Sequence, residues 1–239
     1  DKSIHFTLNR NGSVYSLAKE SGDRIARFYN RESFPIVLTE TNLDSVQKTT
    51  ITRSLEGELK VLENGSDYTV KTAEKNAGVR KYEYTINENC FEQDGIYEVV
   101  VASADRAGNK TDSQLQKMEL VFAIDKTPPL IFVGSMGTTG KVRVEVRDAI
   151  SLAGVEIIKN GRLWKSYTGE EWEVNGTEEL SENLSLLNEE KTILKVQAWD
   201  KADNMASVSN TFEGYRIISK RRDTGIYAGG NNERSTNGS

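Results

Sequence analysis

The segment "YEVVVASADRAGNK", residues 97–110, is a run of strand-forming residues that ends in an Asp-x-Ala-Gly-Asn turn. Nearly the same phrase returns as "ILKVQAWDKADNM", residues 193–205. Placing Asp105 on Asp200 also aligns the alternate apolar residues of the two preceding strands. The offset of about 95 residues is the length of one β-sandwich domain and is longer than a solenoid repeat. The sequence therefore predicts two copies of one β domain.

The repeated turn has a physical explanation that needs no ligand. An Asp carboxylate can accept hydrogen bonds from backbone amides a few residues further on, and Asn and Gly tolerate left-handed backbone geometry. A catalytic role would need a partner base or nucleophile that also repeats, and the sequence repeats none. We therefore interpret Asp105, Asn109, Asp200 and Asn204 as structural turn residues.

Composition and charge exclude several classes of function. The chain has 239 residues, of which 36% are hydrophobic, and a formal net charge of −5 with a pI near 5.2. This balance argues against sequence-independent nucleic-acid binding and against adhesion to anionic membranes. No apolar run is long enough to span a bilayer, so we expect no direct membrane insertion. One cysteine, Cys90, and one histidine, His5, supply neither an internal disulfide nor a zinc site.

Strands are indicated by alternation of apolar and polar residues along most of the chain. "KVRVEVRD", residues 141–148, is the clearest example, with valines on one face and charged residues on the other. Asn160-Gly161 between two apolar runs predicts a two-residue hairpin turn. "TEELSENLSLL", residues 177–187, lacks alternation and predicts either a short helix or a loop with an apolar edge.

The domain boundary is predicted at "AIDKTPPLIF", residues 123–132. Two consecutive prolines fix their own φ angles, remove two N–H donors and favour an extended residue before them, which makes a short stiff connector. The predicted domains are residues 1–125 and 126–219. Residues 220–239 are rich in Gly, Asn and Ser, and we predict a disordered linker there.

The segments "DGIYEVVVASADRAGN" and "MELVFAIDKTPPLI" resemble the end of one bacterial immunoglobulin-like domain and the start of the next. Such tandem domains occur in large surface proteins of Gram-positive bacteria. The resemblance implies an all-β fold of two tandem immunoglobulin-like antiparallel β-sandwiches with a disordered C-terminal tail. Asp203 departs from the pattern, because glycine is usual at that position of the turn.

The resemblance also implies a setting and a role. We expect an extracellular segment on the surface of a Gram-positive bacterium, monomeric, whose partners are other domains of the same surface protein. The expected role is that of a spacer, stalk or adhesion module without catalytic activity. The alternative is a module that binds a glycan or a host protein.

Four acids are candidates for a metal site. In an immunoglobulin-like sandwich the N-terminus and two of the loops share one end, and this end of the second domain would carry Asp125, Asp148, Asp200 and Asp203. Calcium takes six to eight oxygen ligands, so four carboxylates with backbone carbonyls would suffice for a site at the domain junction. The alternative is that these acids are solvated loop residues, and no other cofactor is expected.

Aromatic residues of the second domain are candidates for ligand binding. "LWKSYTGEEWEV" brings Trp164, Tyr167 and Trp172 close together in sequence, and exposed rings of this kind stack on sugars. The alternative is that they pack in or over the core. Trp199 falls on the polar-facing side of its strand.

Enzyme mechanisms find little support. A nucleophile activated by histidine would have to use His5, near an end of the chain, and no phosphate-binding glycine loop is present. Cys90 is flanked by Glu88 and Glu92, the wrong sign of charge for a reactive thiol. No catalytic residue is predicted, and the chain is not expected to be an enzyme.

Overall fold

The computed structural model describes residues 12–76, 79–111, 117–136, 140–168, 179–186, 191–213 and 216–226, and of residues 73–76 and 216–226 it describes the backbone only. The chain divides into two compact units, Asp1–Asp125 and Lys126–Ser239. The division falls after Asp125, where the double-proline segment placed the boundary. No helix in the described ranges is long and apolar enough to cross a membrane.

The first unit contains nine strands, one helix and one 3₁₀ turn in its described residues. The strands are β1 Val14–Leu17, β2 Tyr29–Asn30, β3 Ile36–Asn42, β4 Val46–Leu55, β5 Glu58–Val61, β6 Tyr68–Asn76, β7 Val79–Ile86, β8 Gly95–Asp105 and β9 Met118–Ile124. The helix α1 is Lys19–Arg27, and the 3₁₀ turn is Glu88–Phe91.

These strands form two sheets, in the orders β1-β3-β7-β6 and β2-β9-β8-β4-β5. All pairings are antiparallel except that of β2 with β9. Alternate residues of β3 and β8 are buried, as period-two strands with one inward face require. Both sheets contribute to one apolar cluster, whose largest fully buried members include Phe91, Tyr97 and Phe122.

Helix α1 was not predicted, and its sequence explains why. Only Ser21 is buried and Ile25 is partly buried, so the nine residues offer too few apolar positions to show a period. Tertiary contacts hold the helix instead, because the Ser21 hydroxyl accepts from the backbone N–H of Val37 at 2.9 Å. Phe28 ends it at φ 70°, in the left-handed region.

The second unit contains eight strands in its described residues. They are β10 Leu130–Ser135, β11 Lys141–Arg147, β12 Leu152–Lys159, β13 Arg162–Thr168, β14 Glu179–Ser185, β15 Lys191–Asp200, β16 Asn204–Glu213 and β17 Arg216–Ile226. They form two antiparallel sheets, β10-β11-β14 and β13-β12-β15-β16-β17. A second apolar cluster contains residues of both sheets, including Val144, Ile157, Leu184 and Val196. The fold is therefore all-β, as predicted, and each unit has its own core.

Two local predictions differ from the structure. Residues 179–185, expected as a short helix or loop, form strand β14. Leu180, Glu182 and Leu184 all face inward, and the glutamate at the middle position hid the alternation. Residues 220–226, expected as part of a disordered linker, instead continue strand β17 past Ser219 to Ile226, paired with β16. The rest of the predicted linker, residues 227–239, lies outside the described residues. The polar sequence of β17 shows no alternation of apolar residues, so the strand is held by its backbone pairing with β16.

Candidate functional site

The first strand-ending turn is built around the buried carboxylate of Asp105. Oδ1 accepts from the backbone N–H of Asn109 at 2.9 Å, and Oδ2 accepts from the Asn109 side-chain amide at 2.9 Å. The backbone N–H of Asp105 donates to the Asn109 carbonyl at 3.0 Å. Gly108 takes φ 85°, which lets the chain reverse at no steric cost.

The second turn repeats this chemistry around Asp200. Oδ1 accepts from the backbone N–H groups of Ala202 at 2.8 Å and Asn204 at 2.9 Å, and Oδ2 accepts from the Asn204 side-chain amide at 2.8 Å. Asp203 occupies the position of the glycine and takes φ 67°. The departure noted in the sequence is accommodated, because Asp tolerates left-handed geometry better than most residues.

Each turn is also hydrogen-bonded to a loop of its own unit, the loop after β3 in the first unit and the loop after β11 in the second. In the first unit the N–H of Arg106 donates to the Ser45 carbonyl at 2.8 Å, and in the second the N–H of Lys201 donates to the Ser151 carbonyl at 3.2 Å. The residue that begins this loop, however, is Asn42 in the first unit and Asp148 in the second.

These two residues hold their loops in similar ways. Oδ1 of Asn42 accepts from the N–H of Asp44 at 2.8 Å. Oδ1 of Asp148 accepts from the N–H groups of Ile150 at 2.9 Å and Ser151 at 2.8 Å. The loop geometry therefore needs only an acceptor oxygen, which both Asn and Asp provide.

The pKa of the central aspartate shifts in opposite directions in the two turns. Burial opposes ionisation of Asp105, but hydrogen bonds from Asn109 and from the Asn42 amide outweigh it and hold the pKa of Asp105 below its usual value. Burial raises the pKa of Asp200 to about 6 against the hydrogen bonds from Asn204, and the charge of Asp148 adds to the rise. The second unit thus has two carboxyl groups close together where the first has a carboxyl and an amide.

Three of the four predicted calcium ligands lie in the second unit. Asp148 and Asp200 are buried and electrostatically coupled, whereas Asp203 is exposed at the tip of its turn. Asp125 is buried at the end of β9 in the first unit, where its N–H donates to the Asn30 carbonyl at 2.9 Å. The calcium site stays a prediction.

The first unit also contains a buried polar network that the sequence did not reveal. Glu40 is fully buried on β3 and accepts from the Ser103 hydroxyl at 2.5 Å and from the Tyr84 hydroxyl at 2.6 Å. The Tyr15 hydroxyl donates to Ser103 at 2.9 Å. Burial raises the pKa of the Tyr84 phenol, and its bond to Glu40 adds to the rise. Both of these donors to Glu40 are hydroxyl groups, and their hydrogen bonds stabilise the buried carboxyl group.

The predicted aromatic patch is only partly assembled. Trp164 is 36% exposed on the edge strand β13, beside Leu163, which is 60% exposed. Tyr167 is instead half-buried against the core, where its hydroxyl donates to Glu182 on the opposite sheet at 2.6 Å. Trp172 lies outside the described residues.

The sheet register places a bulge at Trp164. The pairing of β12 with β13 shifts between Ile157 and Ile158, which leaves Trp164 as the extra residue of a bulge. The Lys159 ammonium lies 4.6 Å from the centroid of its ring. Trp164 lies on the same outward-facing side of β13 as Ser166 and Thr168, so alternation along the strand already places its ring outside the core.

A further tryptophan lies on the outward-facing side of β15, as its position in the sequence indicated. Trp199 packs across Gly154, where a Cβ atom would lie 2.4 Å from Cζ2 of the indole. The glycine therefore allows the ring to approach the sheet backbone closely. Trp199 was not among the predicted ligand-binding residues.

Cys90 is buried, and burial raises the pKa of its thiol, which disfavours the reactive thiolate. His5 lies outside the described residues.

Comparison with known proteins adds little. Neither known protein families nor curated proteins match the chain. Among solved structures, a DUF4785 family protein from Legionella pneumophila matches with 10% identity and a TM-score of 0.24. The match covers 82% of this chain and 54% of that one, so the chain spans about half of the length of that protein.

Proposed function

We propose that the chain is a pair of immunoglobulin-like β-sandwich modules from a larger bacterial surface protein, with a spacer, stalk or adhesion role and no catalytic activity. The observation that carries this proposal is the same hydrogen-bonded turn, fixed to the same kind of loop, at the end of β8 and of β15. A structural feature that recurs once in each unit is typical of domains that occur as tandem repeats.

The strand orders support the immunoglobulin-like part of the proposal. An immunoglobulin constant-type domain has strands A-B-E-D in one sheet and C-F-G in the other, and variable-type domains add C′ beside C. In the first unit, β1-β3-β7-β6 corresponds to A-B-E-D and β5-β4-β8-β9 to C′-C-F-G. In the second, β10-β11-β14 corresponds to A-B-E and β13-β12-β15-β16 to C′-C-F-G.

Force spectroscopy on the full chain, tethered by its two ends, tests the spacer role. A load-bearing pair of modules should give two unfolding events per molecule, each releasing about 0.36 nm of contour length per residue of one unit. A substitution that destabilises one unit, such as Val146→Glu, should lower the force of one event and leave the other unchanged. Extension without resolved events, or a single event for the whole chain, would contradict the proposal.

The alternative role is binding of a glycan or a host protein through the edge of the second unit. The exposed pair of Leu163 and Trp164 on β13 favours it, because solvent-exposed aromatic and aliphatic side chains on a sheet edge are typical of binding surfaces. A glycan array probed with the wild-type chain and with Trp164→Ala tests this role. Binding that is lost with Trp164→Ala and kept with Trp199→Phe would establish it.

A further inference from the structure

One depression opens on the outer face of the first unit, next to the turn that follows β8. The residues of β8 that face the core have odd numbers, from Gly95 to Asp105, so Ala102 and Ala104 face outward. The depression has a volume of about 220 Å³, well above the space that one water molecule needs. It is lined by Lys48, Thr50, Ala102, Ser103, Ala104 and Lys110.

The sheet register places two lysines on either side of one alanine. Lys48 on β4 pairs with Ala104 on β8, and Lys110 bridges to Ala104 from the opposite side. Directly paired residues have Cβ atoms about 5 Å apart, so both lysine side chains start next to the same methyl group. Thr50 pairs with Ala102 in the next row and adds a hydroxyl group to the depression.

The ammonium groups of Lys48 and Lys110 are the charged groups of this depression. Within the part of the chain that the structure describes, neither Lys48 nor Lys110 forms an ion pair, and both are exposed. Two like charges flanking one small residue repel each other, and this positive pair stands against a chain of net charge −5. An anion between them would relieve that repulsion, and the alanine methyl groups leave room for it.

We propose that this depression binds a tetrahedral oxyanion, a phosphate or sulfate group, between the ammonium groups of Lys48 and Lys110. Lysine binds such groups as a flexible point charge, so two ammonium groups match a doubly charged oxyanion, and the Thr50 hydroxyl offers a further hydrogen bond. The site does not depend on the spacer role, since it uses only the outer face of one sheet. It would let the first unit hold a phosphorylated or sulfated sugar, or the free anion.

Nuclear magnetic resonance of the ¹⁵N-labelled full chain tests the site, with inorganic phosphate, inorganic sulfate and glucose 6-phosphate as the probes. Chloride at matched ionic strength is the reference, because it screens charge without bridging two ammonium groups. We expect saturable shifts of the backbone amide signals of Lys48, Thr50, Ala104 and Lys110. Tighter binding of glucose 6-phosphate than of phosphate would indicate a sugar-borne ligand, and equal affinity would indicate the free anion.

Variants separate the site from general charge effects. Lys48→Gln and Lys110→Gln should each raise the dissociation constant about three- to five-fold, and the double variant should abolish saturable binding. Ala102→Leu keeps the charge and fills the depression, so it should also weaken binding. Lys81→Gln is the matched control, because Lys81 is an exposed lysine on a strand of the other sheet of the same unit.

Amide spectra of each variant without anion show whether the fold is retained. The proposal is overturned if phosphate and sulfate give no saturable shifts at this site in the wild-type chain. It is also overturned if the folded double lysine variant binds as the wild type does, or if Lys81→Gln weakens binding equally.

Discussion

The two units contain the same kind of turn, but its central aspartate has different neighbours in each unit. At the end of β8, Asp105 accepts a hydrogen bond from the amide of Asn42, and its pKa is lowered. At the end of β15, Asp200 lies near the carboxyl group of Asp148, and its pKa is raised to about 6. The backbone hydrogen bonds of the two turns are nearly the same, so the turn geometry does not determine the charge state of its central residue. Burial and the facing loop do, because burial is the larger cause of the raised pKa of Asp200 and the charge of Asp148 adds to it.

The two units also differ at the core positions two residues before the loop and turn residues. Two residues before Asn42 lies Glu40, and two residues before Asp148 lies Val146; both are fully buried. Ser103, which donates to Glu40, has Ala198 as its counterpart two residues before Asp200. At these core positions the first unit therefore has a carboxyl group together with a hydroxyl donor, and the second unit has an apolar pair.

The largest effect is expected when the second unit receives the carboxyl group without the donors. Val146→Glu would place an acid beside Ala198, which has no hydroxyl to donate. Burial of an unpaired carboxyl group should lower the free energy of unfolding of the second unit by about 3–5 kcal/mol. All three tryptophans belong to the second unit, so urea unfolding followed by tryptophan fluorescence reports on it selectively.

The reciprocal change tests whether the hydroxyl groups matter in the first unit. Glu40→Gln keeps the shape but exchanges one acceptor for a donor, and it should cost about 1–2 kcal/mol. Amide hydrogen exchange in β3, β7 and β8 measures this cost, because the first unit has no tryptophan. If Val146→Glu were tolerated as well as Glu40→Gln, the difference between the two cores would have no energetic meaning.

Replacing Asn42 by Asp and Asp148 by Asn should reverse the electrostatic surroundings of Asp105 and Asp200. Asn42→Asp removes the amide donor to Asp105 and to the Ser13 hydroxyl, and adds a second carboxyl group. We expect a loss of about 1–2 kcal/mol in the first unit near neutral pH. Asp148→Asn keeps the Oδ1 acceptor of its loop and removes the repulsion, so it should stabilise the second unit by about 0.5–1 kcal/mol.

Carbon-detected titration of the aspartate carboxyl groups measures the cause directly. The pKa of Asp105 should rise in Asn42→Asp, and the pKa of Asp200 should fall from about 6 in Asp148→Asn. Unchanged pKa values in both variants would mean that burial alone, and not the facing loop, determines the difference.

The two turns should also respond to pH in opposite directions. The pKa of Asp200 in the folded unit, about 6, lies above the ordinary value, so its contribution to stability is fully present below about pH 4 and is lost as the pH rises through about 6. The pKa of Asp105 is lowered, so its contribution is present above the ordinary pKa and is lost as the pH falls through the lowered value. As the pH falls from about 7 to about 5, protonation of Asp200 should therefore raise the free energy of unfolding of the second unit by about 1 kcal/mol.

Thermal unfolding followed by tryptophan fluorescence, with Asp200→Asn as the reference, isolates this contribution. The variant should lose the rise in stability toward pH 5. The same series in calcium and in EDTA examines the predicted metal site, because a bound cation would keep both carboxyl groups ionised and suppress the pH effect. Identical profiles in calcium and in EDTA would count against that site.

The all-β class and the repeated turn could be predicted from the sequence because both depend on local patterns. Alternation along β11 and β15 and the Asp-Asn spacing of the two turns involve residues that are neighbours in the chain. Helix α1 and strand β14 could not be predicted in this way. The helix depends on a hydrogen bond between Ser21 and β3, and the strand has Glu182 at an inward position.

The candidate sites show the same division. The hydrogen bonds of Asp105 and Asp200 to Asn109 and Asn204 follow from local sequence. The coupling of Asp200 to Asp148 was anticipated only as a cluster of acids, and the contrast with Asn42 requires the pairing of loop and turn in each unit. The partners of Glu40 come from strands far apart in sequence, so no local pattern could indicate them.

The smallest effect concerns the left-handed residue of each turn. Asp203 holds φ 67° where Gly108 holds φ 85°. Asp203→Gly removes the left-handed cost of an L-residue but adds disorder to the unfolded chain, so the second unit should gain at most about 0.5 kcal/mol. Gly108→Asp should cost the first unit about 0.5–1 kcal/mol. Tryptophan fluorescence and amide exchange measure the two changes in urea. A loss of stability in Asp203→Gly would show that the Asp203 side chain stabilises its turn by more than its backbone geometry costs. The aspartate would then be a stabilising difference between the two turns and not merely a tolerated one.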